Sequence, residues 1–68
     1  MITLDARGLS CPEPVIMIRK AMMSREAIYE IIVDNTASRE NVTRYAEHQG
    51  YKVDVSGNGG DFVLSIRK

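Results

Sequence analysis

The sequence predicts an α/β (α+β) two-layer sandwich of order β-α-β-α-β-β, with two helices packed on one face of a four-stranded mixed sheet. Three observations lead there. Short segments whose apolar residues alternate, and longer ones whose apolar residues recur at helical spacing, follow one another in that order. Gly, Pro, Asp, Asn and Ser stand at the joints between them. The chain has 68 residues and no repeat, linker or low-complexity segment, so residues 1–68 form one domain, near the lower size at which a chain folds without staples.

From Met1 to Asp5, Ile2 and Leu4 alternate inward with Thr3 and Asp5 outward, a first strand. Arg7-Gly8 is the turn that follows. Pro12 and Pro14, the only prolines, both suit a first helical turn, where backbone N–H groups have no partner within the helix. This puts Cys11 at the N-cap, Pro12 at the first helical position, and a helix running to about Met23. Val15, Ile18 and Met22 fall on one face. Met17 shares another with Glu13, Lys20 and Ser24 and is expected to be exposed.

Ile28 to Val33 is rich in branched and aromatic residues and reads as the second strand. Tyr29, Ile31 and Val33 should face the helices, leaving Glu30 and Ile32 on the other side. Asp34-Asn35-Thr36 ends it. Ser38 is the expected N-cap of a second helix, Arg39 to Gln49, with Val42, Tyr45, Ala46 and Gln49 as inner stripe and Gly50 as stop. Tyr51, Val53 and Val55 alternate in a third strand, and Phe62, Leu64 and Ile66 in a fourth, joined by a hairpin turn at Gly57-Asn58-Gly59-Gly60. Right-handed crossovers make the first three strands parallel and the hairpin reverses the fourth.

Composition is that of an ordinary globular domain, 44% hydrophobic and 26% charged. The formal net charge of zero gives the whole chain no electrostatic footprint for nucleic acid or for an anionic membrane. Without an apolar run near membrane-spanning length or a signal peptide, the expected setting is the cytoplasm. A single cysteine forms no internal disulfide, which suits that reducing compartment, and a structural zinc site would lack ligands. No metal or other cofactor, no direct nucleic-acid or membrane contact, and a monomer are expected.

The chemistry centres on Cys11. A thiol at a helix start feels the positive end of the helix dipole, which favours the thiolate, the species that attacks and carries sulfur. The two prolines stiffen the segment but remove backbone donors, and Glu13 opposes the shift as a nearby like charge. A cysteine hydrolase would need a base beside the thiol. The only histidine, His48, is expected at the opposite end of the fold, roughly 15 Å of helix rise beyond Ser38. A dithiol oxidoreductase lacks its resolving cysteine. Asp5 and Arg7 have two readings, as ligands holding the turn or, for Arg7, as a cation favouring the Cys11 anion. Arg19, Lys20 and Arg25 read by default as a solvated helix side, with a local basic face as the alternative, and Met17, Arg19, Lys20, Asn35 and Arg39 are the expected partner contacts.

Asp5-x-Arg7-Gly8-x-x-Cys11-Pro12-x-Pro14, followed by an amphipathic helix, resembles the signature of the TusA/SirA/YedF family of small sulfur-carrier proteins. The similarity runs the length of the chain, and Asp34-Asn35, Asn41-Val42 and Gly50-Tyr51 look nearest the YedF-like branch. One departure is Ser24-Arg25-Glu26, where family members often carry Pro-Gly or a similar turn. The resemblance implies strand order 1-2-4-3, like the C-terminal domain of a bacterial translation initiation factor. It also implies a persulfide relay on Cys11, supported by Asp5, Arg7, Pro12, Glu13 and Pro14. A cysteine desulfurase or other sulfurtransferase would be the donor and a further protein the acceptor, as in thiolation of tRNA uridine or related sulfur or selenium metabolism. The alternative class is a non-catalytic binding or regulatory module that docks partners through the Cys-Pro-x-Pro helix.

Overall fold

A computed structural model describes residues 1–10 and 12–68, with residue 58 in its backbone only. Its elements are β1 (Ile2–Asp5), α1 (Glu13–Met22), β2 (Ile28–Val33), α2 (Thr36–His48), β3 (Lys52–Asn58) and β4 (Asp61–Arg67). The sheet order is β1-β2-β4-β3. β1 runs parallel to β2, with Leu4 opposite Ile31, while β4 is antiparallel to both neighbours, with Leu64 between Ile31 and Val55. β1, β2 and β3 therefore share a direction, and the expected architecture holds with the strand order that the resemblance implies.

The core lies where the two central strands meet both helices. Tyr29, Ile31 and Val33 of β2, Leu64 and Ile66 of β4, Ile18 of α1, and Val42 and Ala46 of α2 are fully buried. Burying such a side chain contributes roughly 1.5–3 kcal/mol before the entropy of ordering is set against it. Burial fades along β3, an edge strand, until Val55 is 44% exposed.

Four local expectations are corrected. The cap of α1 is Pro12, one residue later than expected, because the Glu13 N–H donates to the Ser10 carbonyl (2.9 Å) in a preceding turn and Pro12 is not helical. The helical ladder opens with the Ile16 N–H on the Pro12 carbonyl (3.1 Å), so Pro14 is the second helical residue, and it is buried. Met17 is half-buried against the core, since it stands three residues from Pro14 and four from Ala21 on a stripe wide enough to cover the sheet. The cap of α2 is Asn35, not Ser38: its extended backbone lets Oδ1 accept the Ser38 N–H (2.7 Å), which starts the helix at Thr36 and sends Ser38 into the interior. Gln49 is exposed as the C-cap, after which Gly50 (φ +89) turns the chain.

The hairpin turn narrows to two residues. Gly57 stays in β3 opposite Phe62, and Gly59 (φ +61) and Gly60 (φ +100) make the connection, both in the left-handed region that a tight two-residue hairpin of this twist requires. The turn after α1 meets the same demand without glycine: Arg25 adopts φ +55 in the stretch where the family often has Pro-Gly. Beside it, the Glu26 N–H donates to the phenol oxygen of buried Tyr29 (2.8 Å). The Tyr29 ring meets Tyr51 edge-on, with centroids 5.9 Å apart.

Candidate functional site

The segment leading to Cys11 starts as an extension of the sheet. The Ala6 N–H continues the ladder to the Ile32 carbonyl (2.8 Å), and Ala6 is fully buried. The chain then turns back, with Leu9 N–H reaching the Ala6 carbonyl (3.3 Å) and Gly8 at φ +80. Gly8 matters here because that conformation is strained for any side-chain-bearing residue.

Two sets of polar contacts hold this loop. Arg7 forks onto Asp5, Nε to Oδ1 at 3.0 Å and Nη2 to Oδ2 at 2.8 Å, and its Nη1 lies 3.5 Å from Oδ2 of Asp61, just after the hairpin turn. The Gly8 N–H donates to Oδ2 of Asp34 (2.7 Å), 26 residues away. The other Asp34 oxygen accepts the Asn35 side-chain amide (3.0 Å), and Asn35 in turn caps α2. A hydrogen-bond chain thus runs from the loop, through Asp34 and Asn35, to the first turn of α2.

These contacts set the charges. Hydrogen bonds from the Arg7 side chain and backbone pull the Asp5 carboxyl down to about 2, and Asp5 pushes the Arg7 guanidinium further up. Asp34 is lowered by the Gly8 N–H first and the Asn35 amide second. All three side chains are exposed, so the pairs add little to global stability; their effect is to hold a loop in one shape. Arg7 is engaged by two carboxylates, which favours the loop-holding reading of this residue.

The expected site residues do not form one patch. Pro12 and Glu13 are exposed at the start of α1. Arg19 and Lys20 are exposed in its last turn, towards the other pole. Asn35 is used as a cap, and Arg39 lies with its guanidinium 4.8 Å above the Phe62 ring and 3.8 Å from Glu40. The assignment of Cys11 falls outside the described residues. The topology read from the sequence already brings the Asp34-Asn35-Thr36 loop to the Cys11 end; what the expected site residues lack is the role of Asp34, which accepts the Gly8 N–H from the carboxyl end of β2, level with that of the parallel strand β1. His48, the last residue of α2, lines an open groove between the helices together with Pro12, Val15, Asn41, Arg44 and Tyr45.

Among the described residues there is no cluster of His, Cys, Asp or Glu suited to a metal ion, and no helix long and apolar enough to cross a membrane.

Residues 2–68 match the family described as Sulfurtransferase TusA. The chain is similar to the sulfur carrier protein TusA of Pseudomonas entomophila (strain L48), 30% identical over 69 residues, covering 97% of this chain and 86% of the relative. It is 29% identical to the protein of the same name from Pseudomonas putida (strain F1), over 96% of this chain and 85% of that one. Among solved structures, the SirA-like protein of Desulfitobacterium hafniense superposes with a TM-score of 0.90 at 38% identity, covering 98% of this chain and 96% of the other. Matched by sequence almost from end to end and by fold to a SirA-like structure, the chain belongs to the TusA/SirA family.

Proposed function

We propose that the protein is a sulfur carrier that relays sulfane sulfur as a persulfide on Cys11. The observation that carries this reading is the place of the only cysteine, immediately before the cap of α1, in a chain that matches the TusA family over residues 2–68. The Cys11 thiolate attacks the terminal sulfur of a donor's persulfide. The donor's S–S bond breaks, the donor leaves as a thiolate, and Cys11 holds the sulfur as a persulfide. An acceptor thiolate then attacks that terminal sulfur and Cys11 leaves as a thiolate, so the relay involves no net oxidation or reduction.

Asp5 and Arg7 hold the loop, Pro12 and Pro14 stiffen the helix start, and Glu13 tempers the dipole's effect on the thiol. Met17, Arg19, Lys20, Asn35 and Arg39 offer contacts to donor and acceptor. The donor is a cysteine desulfurase or other sulfurtransferase of the cytoplasm. The sulfur ends in tRNA thiolation or in the related sulfur or selenium metabolism of the YedF-like branch, to which Asp34-Asn35 and Gly50-Tyr51 point.

The test is intact-protein mass spectrometry after incubation with a cysteine desulfurase and cysteine. A gain of one sulfur in the native protein and none in Cys11→Ser is expected, with both proteins folded by circular dichroism. Absence of any gain, from the desulfurase or from inorganic polysulfide, would leave a non-catalytic docking module as the better reading.

A further inference from the structure

We infer that the groove between α1 and α2 is a docking surface for a segment of a partner protein that combines apolar side chains with carboxylates. This rests on the carrier reading, since a segment seated there lies beside the residue that follows Cys11.

The groove has a volume of about 380 Å³ and is lined by Pro12 and Val15 of the α1 side and Asn41, Arg44, Tyr45 and His48 of α2. Its surface is mostly apolar, from the proline ring, the Val15 methyls and the Tyr45 ring, and its polar rim is basic or neutral. Neither Arg44 nor His48 takes part in an ion pair among the described residues. Arg19 stands four residues after Val15 on the same face of α1 and adds a third basic group along that side. The acidic residues of α2, Glu40 and Glu47, line a separate depression on the other flank with Thr43 and Val55, and Arg44 borders both.

The shape selects the kind of ligand. A small molecule is held by a pocket that buries most of its surface, and this groove is open to solvent along its length. An extended or helical protein segment needs only one wall, and it can place apolar side chains on Tyr45 and Val15 with carboxylates towards Arg44 and His48. Complementary charge of this kind speeds encounter and excludes wrong partners more than it adds affinity.

The probe is the peptide acetyl-Asp-Leu-Glu-Phe-Asp-amide, titrated into the native protein with backbone amide shifts as readout. Saturable shifts are expected at Val15, Arg44, Tyr45 and His48, with a dissociation constant raised ~10-fold or more in Arg44→Glu/His48→Glu, as for loss of complementary charge. A peptide with lysine at its acidic positions should not saturate these residues. No saturable binding, equal binding of the lysine peptide, equal binding by the double variant, or shifts centred on another surface would each overturn the inference. Sulfur loading from inorganic polysulfide, which needs no protein partner, separates the two claims. If the native protein loads but the peptide result fails, the groove is wrong and the carrier stands; if Cys11 does not load, the carrier reading falls whatever the peptide does.

Discussion

The two poles of this small fold are held by different forces. At the pole before α1, the loop is tied by exposed polar groups: Asp5, Arg7 and Asp61 on one side, Gly8, Asp34 and Asn35 on the other. At the opposite pole, the turn after α1 rests on buried aromatic packing, with Tyr29 under the Glu26 N–H and against Tyr51. Lys68 adds its ammonium 4.8 Å above the Tyr51 ring. Exposed ion pairs contribute little stability, whereas a buried tyrosine contributes several kcal/mol. The motif pole is therefore shaped rather than stabilised by its contacts, and the far pole carries a larger share of what keeps the chain folded. A sulfur carrier that meets a donor and an acceptor protein gains from a pole whose polar contacts shape it more than they stabilise the fold.

The comparison breaks most severely at Tyr29. Tyr29→Ala should cost about 3–5 kcal/mol, a large part of the stability of so small a domain, and urea titration should find it largely unfolded. A loss below about 1 kcal/mol would show that the far pole does not carry the fold. Tyr29→Phe keeps the ring and removes only the oxygen that accepts the Glu26 N–H, so about 1 kcal/mol is expected from the same titration.

Asp34→Ala tests the other pole and should do the reverse. The denaturation midpoint should hardly move, while the Gly8 amide, freed from its carboxylate, exchanges with solvent ~10-fold faster. Equal protection of Gly8 in both proteins would mean that Asp34 does not hold the loop.

Acid and alkali should separate the poles. Asp5, at about 2, and Asp34 are lowered in the folded protein, so their contribution is present above the ordinary carboxylate range of about 4 and lost as pH falls through their folded values. The Tyr51 phenol is raised, by burial first and by the neighbouring Tyr29 next, so its contribution is complete below about 10 and lost as pH rises through its folded value. Gly8 exchange corrected for intrinsic rate should therefore lose protection in acid as Asp34 is protonated, with the far pole still closed, while circular dichroism should show the far pole and the fold with it opening in alkali.

The smallest effect is expected at Arg25. Glycine relieves a left-handed conformation worth about 1–2 kcal/mol and returns about half of that as chain entropy in the unfolded state, so Arg25→Gly should gain roughly 0.5 kcal/mol in the same denaturation assay. A loss would mean that the Arg25 side chain supports the turn.

Whatever is encoded in near-neighbour spacing could be read from the chain alone. The alternation Tyr29-Ile31-Val33 defines β2 and its buried face without reference to anything distant, and the same holds for Leu64 and Ile66 in β4 and Val42 and Ala46 in α2. The order of elements, the hairpin and the stop at Gly50 follow from equally local rules. Choices among local options did not. Asn35 and Ser38 are both good caps, and the one used is decided by where β2 delivers the chain and by the hydrogen bond from Gly8 that holds Asp34 beside it. Met17 is half-buried because it packs against a core built jointly by the sheet and both helices, which no single-helix pattern records. Pro12 and His48 line one groove because the two helices pack side by side. Such neighbours come from packing between elements whose sequences carry no mark of each other, so only the tertiary structure decided the shape of the loop before α1 and the wall beside it.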